Sequence, residues 1–207
     1  EDTIRKIREE RLEISEDELI LEVGFVINCK IALRLVQAFK VKVSVELHPA
    51  VSRDIERTLH YGRRYFKVCP EFFIVKVPLT PEGYLVVRKF TQDNIPINFT
   101  LGFSARQNYL AARLSNPDFV NVFLGRLNQV VIDHNAGSGD QVGEKVTLST
   151  QNALIEARKN HKKVKSRLIG ASIRNGEQVA FLAGLDVLTI PPKAIKEFQE
   201  SGKLITQ

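Results

Sequence analysis

From residue 41 onward, this 207-residue chain switches between two hydrophobic periods six times. Six short apolar or alternating runs read as strands: VKVSVEL (41–47), FFIVKVP (72–78), INFTLGF (97–103), DFVNVFLG (118–125), SRLIGASI (166–173) and LDVLTIP (185–191). After each comes a helical pattern. HPAVSRDIERTLHYGRRYF places Val51, Ile55, Leu59 and Phe66 on one face. Thr80 caps the next helix, with Pro81 at its first position, and that helix runs to about Asn94. Ser104 caps a third helix ending near Leu114, and a long one is expected at about 141–160. Two more follow at 176–183 and 192–201. Between the fourth strand and the long helix, LNQVVIDHNAGSGD (127–140) reads as a loop.

Such alternation predicts an α/β fold with parallel strands and helical crossovers. No G-x-G-x-x-G or P-loop follows the first strand, which removes the commonest reason to expect a doubly wound sheet. The alternative is a (β/α)8 TIM barrel, which requires eight strands. Six are legible, and the deficit lies toward the N-terminus. There the pattern is helical: a charged segment at 1–12, then residues 15–39, opened by a Ser15/Glu18 capping box. Phe25–Ile27 is an alternative short strand. The expected organisation is one barrel domain over 1–207, with a helical segment at 1–40 and six strand–helix units over 41–201.

The chain contains no methionine, even at position 1. This leads to the expectation that it is N-terminally incomplete. No apolar run of 18 residues and no secretory h-region is present, so neither a membrane span nor secretion is expected. Cys29 and Cys69 have no metal spacing and read as thiols of a reducing, cytoplasmic compartment. The four histidines are scattered, and no metal is expected. A net charge of +6 raises the question of nucleic acid. However, the densest basic run, KNHKKVK (159–165), has no interleaved aromatic residue and reads as a solvated helix end.

Within FFIVKVP, Lys76 stands in an otherwise apolar run. An ammonium group is costly to bury unless it is paired or neutral. One reading is an edge-strand lysine that snorkels to water. The other is a lysine in a low-dielectric pocket that serves as an amine nucleophile. Neighbouring strands bear on the choice, because alternate residues share a face. Ser44 and Glu46 align, Lys76 aligns with Ile74, and Asn98, Thr100 and Gly102 align. Asn121 and Phe123 align, with Arg126 just beyond, and Gly170, Ser172 and Arg174 align. Each has a plain structural reading, such as Glu46 being a simple salt-bridge partner of Lys76. Together they describe a polar rim at the C-terminal strand ends, the catalytic face of a barrel.

FIVKVPLTPEG, NFTLGFSARQ, NVFLGR, GASIRN and LTIPPK occur in this order, and over roughly 41–200 the chain resembles the transaldolase family of Schiff-base aldolases. The resemblance implies a (β/α)8 barrel that transfers a dihydroxyacetone unit between sugar phosphates, such as fructose 6-phosphate and erythrose 4-phosphate. Lys76 stands where the family has its Schiff-base lysine. Glu46 and Thr100 stand where it orients a catalytic water. Asn98 matches a residue that positions lysine and substrate, and Ser172, Arg126 and Arg174 match groups that grip phosphate. Phe123 matches an aromatic position, usually phenylalanine in transaldolases and tyrosine in fructose-6-phosphate aldolases. Two departures stand out. Asn121 and Val122 replace the serine and proline of the family's S-P-F-V-G-R motif, and neither its first-strand aspartate nor its T-T-N-P motif is visible.

The expectation is therefore a transaldolase-type transferase of carbohydrate metabolism. Its catalytic residues are Lys76, Glu46 and Thr100, and its substrate contacts are Asn98, Asn121, Phe123, Arg126, Ser172 and Arg174. No cofactor, nucleic acid or membrane partner is expected, and a homo-oligomer is left open. A fructose-6-phosphate aldolase and a sugar-phosphate binder without turnover are the alternatives.

Overall fold

The structure, a computed structural model, describes residues 1–203 and Ile205. Two helices, α1 (Asp2–Glu10) and α2 (Glu16–Phe39), precede the first strand. Strands β1 (Val43–Glu46), β2 (Phe73–Pro78), β3 (Ile97–Gly102), β4 (Phe119–Phe123), β5 (Arg167–Ala171) and β6 (Val187–Leu188) then alternate with helices. The crossovers are α3 (Ile55–Val68), α4 (Pro81–Gln92), α5 (Ala105–Leu114), α6 (Leu124–Asp133) with α7 (Val142–Asn160), and α8 (Gly176–Phe181), and α9 (Pro192–Glu200) closes the series. The strand order follows the chain, β1-β2-β3-β4-β5-β6, and the paired strands run parallel. This is the α/β alternation of a (β/α) barrel, with six strands among the described residues. Among them, no helix is long and apolar enough to cross a membrane.

By packing, the chain divides into two compact units, Glu1–Asn98 and Phe99–Gln207. In the first, α2 begins at Ser15, whose Oγ accepts the Glu18 N–H at 3.3 Å. It remains helical through 25–27, where a short strand was the alternative. The reason is periodicity: Leu19, Glu22, Cys29, Ala32 and Val36 form one buried face. Phe25 packs against Tyr65, with ring centroids 4.6 Å apart. Glu22 is the unusual member of that face. Arg64 of α3 donates to both its carboxylate oxygens, at 2.6 and 2.7 Å, and Tyr61 donates at 2.9 Å. The Arg64 guanidinium also stacks over Phe25, 4.2 Å from the ring centroid. These partners satisfy the carboxylate where an unpaired charge would be costly.

Helices α3 and α4 approach closely at Gly62. A Cβ there would lie 2.3 Å from Cζ of Phe90, a ring with no exposed surface. In the second unit, Val120, Val122, Leu168 and Leu154 are fully buried. The Asp186 carboxylate joins β5 to the segment before β6: it accepts the Leu168 N–H at 3.0 Å and an Arg158 N–H at 3.1 Å.

The boundary that differs most from expectation follows β4. Residues 127–133 belong to α6, which starts immediately after Phe123, rather than to a loop. Leu124, Leu127 and Val131 give that segment a helical period, which the glycines and aspartate farther on obscure. The last strand is also shorter than expected, two residues where LDVLTIP suggested seven.

Two stability measurements follow. Hydrogen bonding from Arg64, opposed by burial and aided by Tyr61, holds the Glu22 carboxyl below its usual range. A group depressed in the folded state stabilises fully above its unfolded value, about pH 4.3. That contribution is lost as pH falls through the lower, folded value. Glu22→Gln should therefore cost about 2 kcal/mol at pH 7 in urea denaturation, and the difference from the unsubstituted chain should shrink toward pH 3. Gly62→Ala sets two effects against each other. Helix propensity favours alanine by about 1 kcal/mol, whereas overpacking costs about 1–3 kcal/mol. With Phe90 locked in the core, a net loss of stability is expected.

Candidate active site

In the first unit the candidate groups are placed by the register of two parallel strands. Ser44 lies level with Ile74, and Glu46 with Lys76. Residues level in a sheet share a face. Their neighbours of opposite parity, Val45, Leu47, Val75 and Val77, are all at most 1% exposed. The apolar run around Lys76 is thus two faces read together. The valines are core, and the lysine projects from the other side. Its side chain is 22% exposed, and Nζ lies 3.2 Å from Oε2 of Glu46, whose side chain is 53% exposed. A pair this open to water is worth about 0–1 kcal/mol, too little to account for holding the fold.

The Val75 N–H donates to the Pro96 carbonyl at 2.9 Å. In a parallel ladder this sets Asn98 level with Lys76. Asn98 is buried, and its Nδ2 donates to Ser44 Oγ at 3.2 Å. Ser44, Glu46, Lys76 and Asn98 therefore occupy one face, as the parity argument predicted. Asn28 of α2 plays a part that the sequence did not reveal. Its Nδ2 donates to the Glu46 carbonyl at 2.9 Å and to the Tyr65 hydroxyl at 3.2 Å, fixing the end of β1. Burial pushes the Tyr65 hydroxyl up to about 12, so it stays neutral at ordinary pH. No local motif marks Asn28, because its partners are 18 and 37 residues away.

In the second unit Thr100 is fully buried, and its hydroxyl donates to Asn121 Oδ1 at 3.2 Å. The Leu101 N–H donates to the same oxygen at 3.1 Å, and Asn108 Nδ2 donates to the Asn121 carbonyl at 3.3 Å. Asn121 thus ties the ends of β3 and β4 to α5. Gly102 is required at this junction: a Cβ would lie 2.4 Å from both Asn108 Oδ1 and the Asn121 carbonyl oxygen. Phe123 contacts Phe103, with ring centroids 6.3 Å apart.

On β5 the expected shared face is not formed. Asn121 lies level with Ile169, and Gly170 with Val122, so Asn121 and Gly170 are on opposite faces. Ser172 and Arg174 lie past the strand's end. Ser172 adopts a left-handed φ of 65°, and counting by twos holds only in extended backbone. Arg126, expected just beyond a strand, instead stands exposed in the first turn of α6. Even so, the second unit brings the two arginine segments together through Gly125. A Cβ on Gly125 would lie 2.3 Å from the Ser172 carbonyl oxygen and 2.8 Å from Cγ and Nε of Arg174.

Behind Arg174 runs a chain of side-chain bonds that the motifs did not mark. The Arg174 N–H donates to Gln178 Oε1 at 2.7 Å, and Gln178 Nε2 donates to Glu144 Oε1 at 2.7 Å. Asn128 Nδ2 donates to Glu144 Oε2 at 3.0 Å, and Asn128 Oδ1 accepts the Gly143 N–H at 2.6 Å.

Two kinds of comparison bear on this arrangement. The chain is similar to proteins named probable transaldolase from three bacteria. The one from Hyphomonas neptunium is 33% identical over 148 residues, 70% of this chain and 61% of its relative. The one from Phenylobacterium zucineum is 36% identical over 141 residues, 67% and 58% respectively. The one from Exiguobacterium sibiricum is 32% identical over 162 residues, 77% and 66%. The chain thus spans about three-fifths of the length of the curated relatives it matches. The second comparison is with whole families, and all of residues 1–207 fit one of them: the chain belongs to the transaldolase/fructose-6-phosphate aldolase family.

Proposed function

We propose that the protein forms a Schiff base between Lys76 and a ketose phosphate and transfers the resulting three-carbon unit to an aldose phosphate. The observation that carries this reading is the level pairing of Lys76 with Glu46, Nζ to Oε2 at 3.2 Å, on the face turned away from the buried valines. An amine that attacks a carbonyl needs a proton-transfer partner within reach, and Glu46 is one. Family membership supports the same chemistry, since transaldolases and aldolases are enzymes.

In this scheme neutral Lys76 adds to the ketose carbonyl carbon and gives a carbinolamine. Glu46, holding the proton that Lys76 gave up on becoming neutral, passes it through a bridging water to the carbinolamine hydroxyl, which leaves as a second water molecule and gives the iminium ion. The iminium draws the C3–C4 bonding electrons inward as the C4 hydroxyl gives up its proton. An aldose phosphate leaves, and an enamine remains on Lys76. Addition of the enamine to a second aldose phosphate, then hydrolysis, returns the free amine. The resemblance assigns Thr100 to orienting the water, Asn98 to aligning lysine and substrate, and Phe123 to substrate contact; Asn121, which departs from the family's serine, is taken as a substrate contact by its position alone. The resemblance also assigns Arg126, Ser172 and Arg174 to the phosphate. The close packing of Gly125 on Ser172 and Arg174 supports this last role. Phe123, the aromatic type usual in transaldolases, favours transfer over simple aldol cleavage.

Two experiments test the reading. Borohydride reduction in the presence of fructose 6-phosphate should leave a stable adduct on Lys76, located by peptide mass mapping. Lys76→Arg should leave none, because a guanidinium stays protonated and is not a nucleophile. An adduct persisting in that variant moves the chemistry to another lysine. The role of Glu46 is tested separately by single-turnover imine formation in Glu46→Gln across pH. Loss of a proton shuttle should slow it by about 10²–10⁴-fold with substrate still bound. A carboxylate that merely pairs with the ammonium gives the opposite result, because its removal frees the amine. An unchanged or faster rate near neutral pH therefore rules out the shuttle.

A further inference from the structure

Two turns of the second unit are built alike. From the last two residues of β3 the chain runs Leu101-Gly-Phe-Ser-Ala-Arg-Gln107, and directly after β5 it runs Ser172-Ile-Arg-Asn-Gly-Glu-Gln178. In each, the first residue is left-handed, with φ of 66° and 65°. In each, the fourth residue caps a helix from an extended conformation, with φ of −150° at Ser104 and −149° at Asn175. The seventh is a glutamine whose N–H is taken by the cap side chain, at 3.2 Å for Gln107 and 3.0 Å for Gln178. The glutamine carbonyl then reaches back and accepts the N–H of the third residue, Phe103 at 3.0 Å and Arg174 at 2.7 Å. In an ordinary capping box this reciprocal bond goes to the cap residue itself. Here it goes one residue farther back and secures the residue that the turn presents.

The two locks differ in their anchorage. Gln107 is exposed, whereas Gln178 is 8% exposed and its amide donates to Glu144, which is 6% exposed. Glu144 is held in turn by Asn128 of α6, the helix that also carries Arg126. The lock at Arg174 is therefore rigid and tied to the helix of the other arginine.

We propose that Gln178, anchored by Glu144, is a positioning residue for anion binding. It fixes the backbone of Arg174 so that its side chain stays against Gly125, the residue before Arg126. The inference rests on the reading of Arg174 as a phosphate-holding residue. A left-handed non-glycine residue two positions earlier is strained and needs its surroundings to hold it. The bond to Gln178 supplies that hold on the far side of Arg174.

The test titrates inorganic phosphate into the 207-residue chain by calorimetry, with a melting temperature recorded for each variant. Phosphate should bind the unsubstituted chain, and Arg174→Ala should abolish binding. Failure of either result overturns the reading on which the inference rests. Gln178→Ala should weaken binding by about tenfold. Gln107→Ala removes the equivalent bond to the Phe103 N–H and keeps the Ser104 cap, so it should lower the melting temperature while leaving phosphate affinity within about twofold. An unweakened Gln178→Ala, with Arg174→Ala inactive in binding, overturns the inference and spares the reading. Equal weakening by Gln107→Ala reduces the effect to general capping and also overturns it. If Gln178→Ala does not fold, a pair of charge variants decides. Gln178→Glu alone sets two carboxylates face to face and should weaken phosphate by about tenfold or more. Glu144→Gln added to it restores one amide facing one carboxylate and should bring affinity back to within about threefold. Because the pair carries the same net charge as the unsubstituted chain, an affinity that matches that chain shows that an amide–carboxylate bond between 144 and 178 suffices. Phosphate affinity unweakened in Gln178→Glu, or unrestored in the pair, overturns the proposal.

Discussion

A parallel ladder between β1 and β2 sets where chemistry is possible in the first unit. It places Glu46 beside Lys76 and, in the same step, turns Val45, Leu47, Val75 and Val77 to the opposite, buried face. A slip of one residue would bury the charges and expose the valines. The cost of burying an ammonium group far exceeds what a partly exposed ion pair returns. The valines therefore enforce the register, and the Lys76–Glu46 pair follows from it. A weak, half-exposed pair can be broken at little cost to the fold, as the nucleophile role proposed for Lys76 requires.

The same division of labour appears one layer out. Glu22 and Arg64 make the short, bidentate, largely buried contact of the first unit, between α2 and α3, away from the lysine strand. The strongest charge pairing is thus spent on fixing helices. Asn28, two turns along α2 from Glu22, carries that fixed position to the carbonyl of Glu46. Helix placement and the Glu46 backbone are linked through one amide.

How much of this could be read from the sequence depends on how local each determinant is. The strand–helix alternation, the caps at Ser15, Thr80 and Ser104, and the shared face of Ser44, Glu46, Lys76 and Asn98 all follow from spacing within a few residues. The segment after Phe123 was misleading because a helix begins with no turn residue between it and the strand, and its glycines come later. The face shared by Gly170, Ser172 and Arg174 was misread for a different reason. Period-two counting was carried through a residue whose φ is 65°, a value the identity of serine does not announce. Asn28 and Glu144 are not marked locally because their partners lie 16 to 37 residues away, and the bond of Gln178 to Glu144 spans 34; only the bonds of Gln178 to Asn175 and Arg174 are local.

That last bond was in principle within reach. A cap residue three positions before a glutamine, directly after a strand, occurs at Ser104/Gln107 and again at Asn175/Gln178. Read singly, each is an ordinary helix start. Read together with left-handed residues three positions before each cap, they are one construction used twice. Its effect is to turn the chain sharply at a strand's end and still hold the next side chain in a defined place. Loops gain precision when a rigid element immobilises them. Here a six-residue helix does so because its third residue is fastened to a buried carboxylate on α7. The backbone of Arg174 is thus fastened through Gln178 to α7, a helix that carries none of the motifs quoted from the sequence.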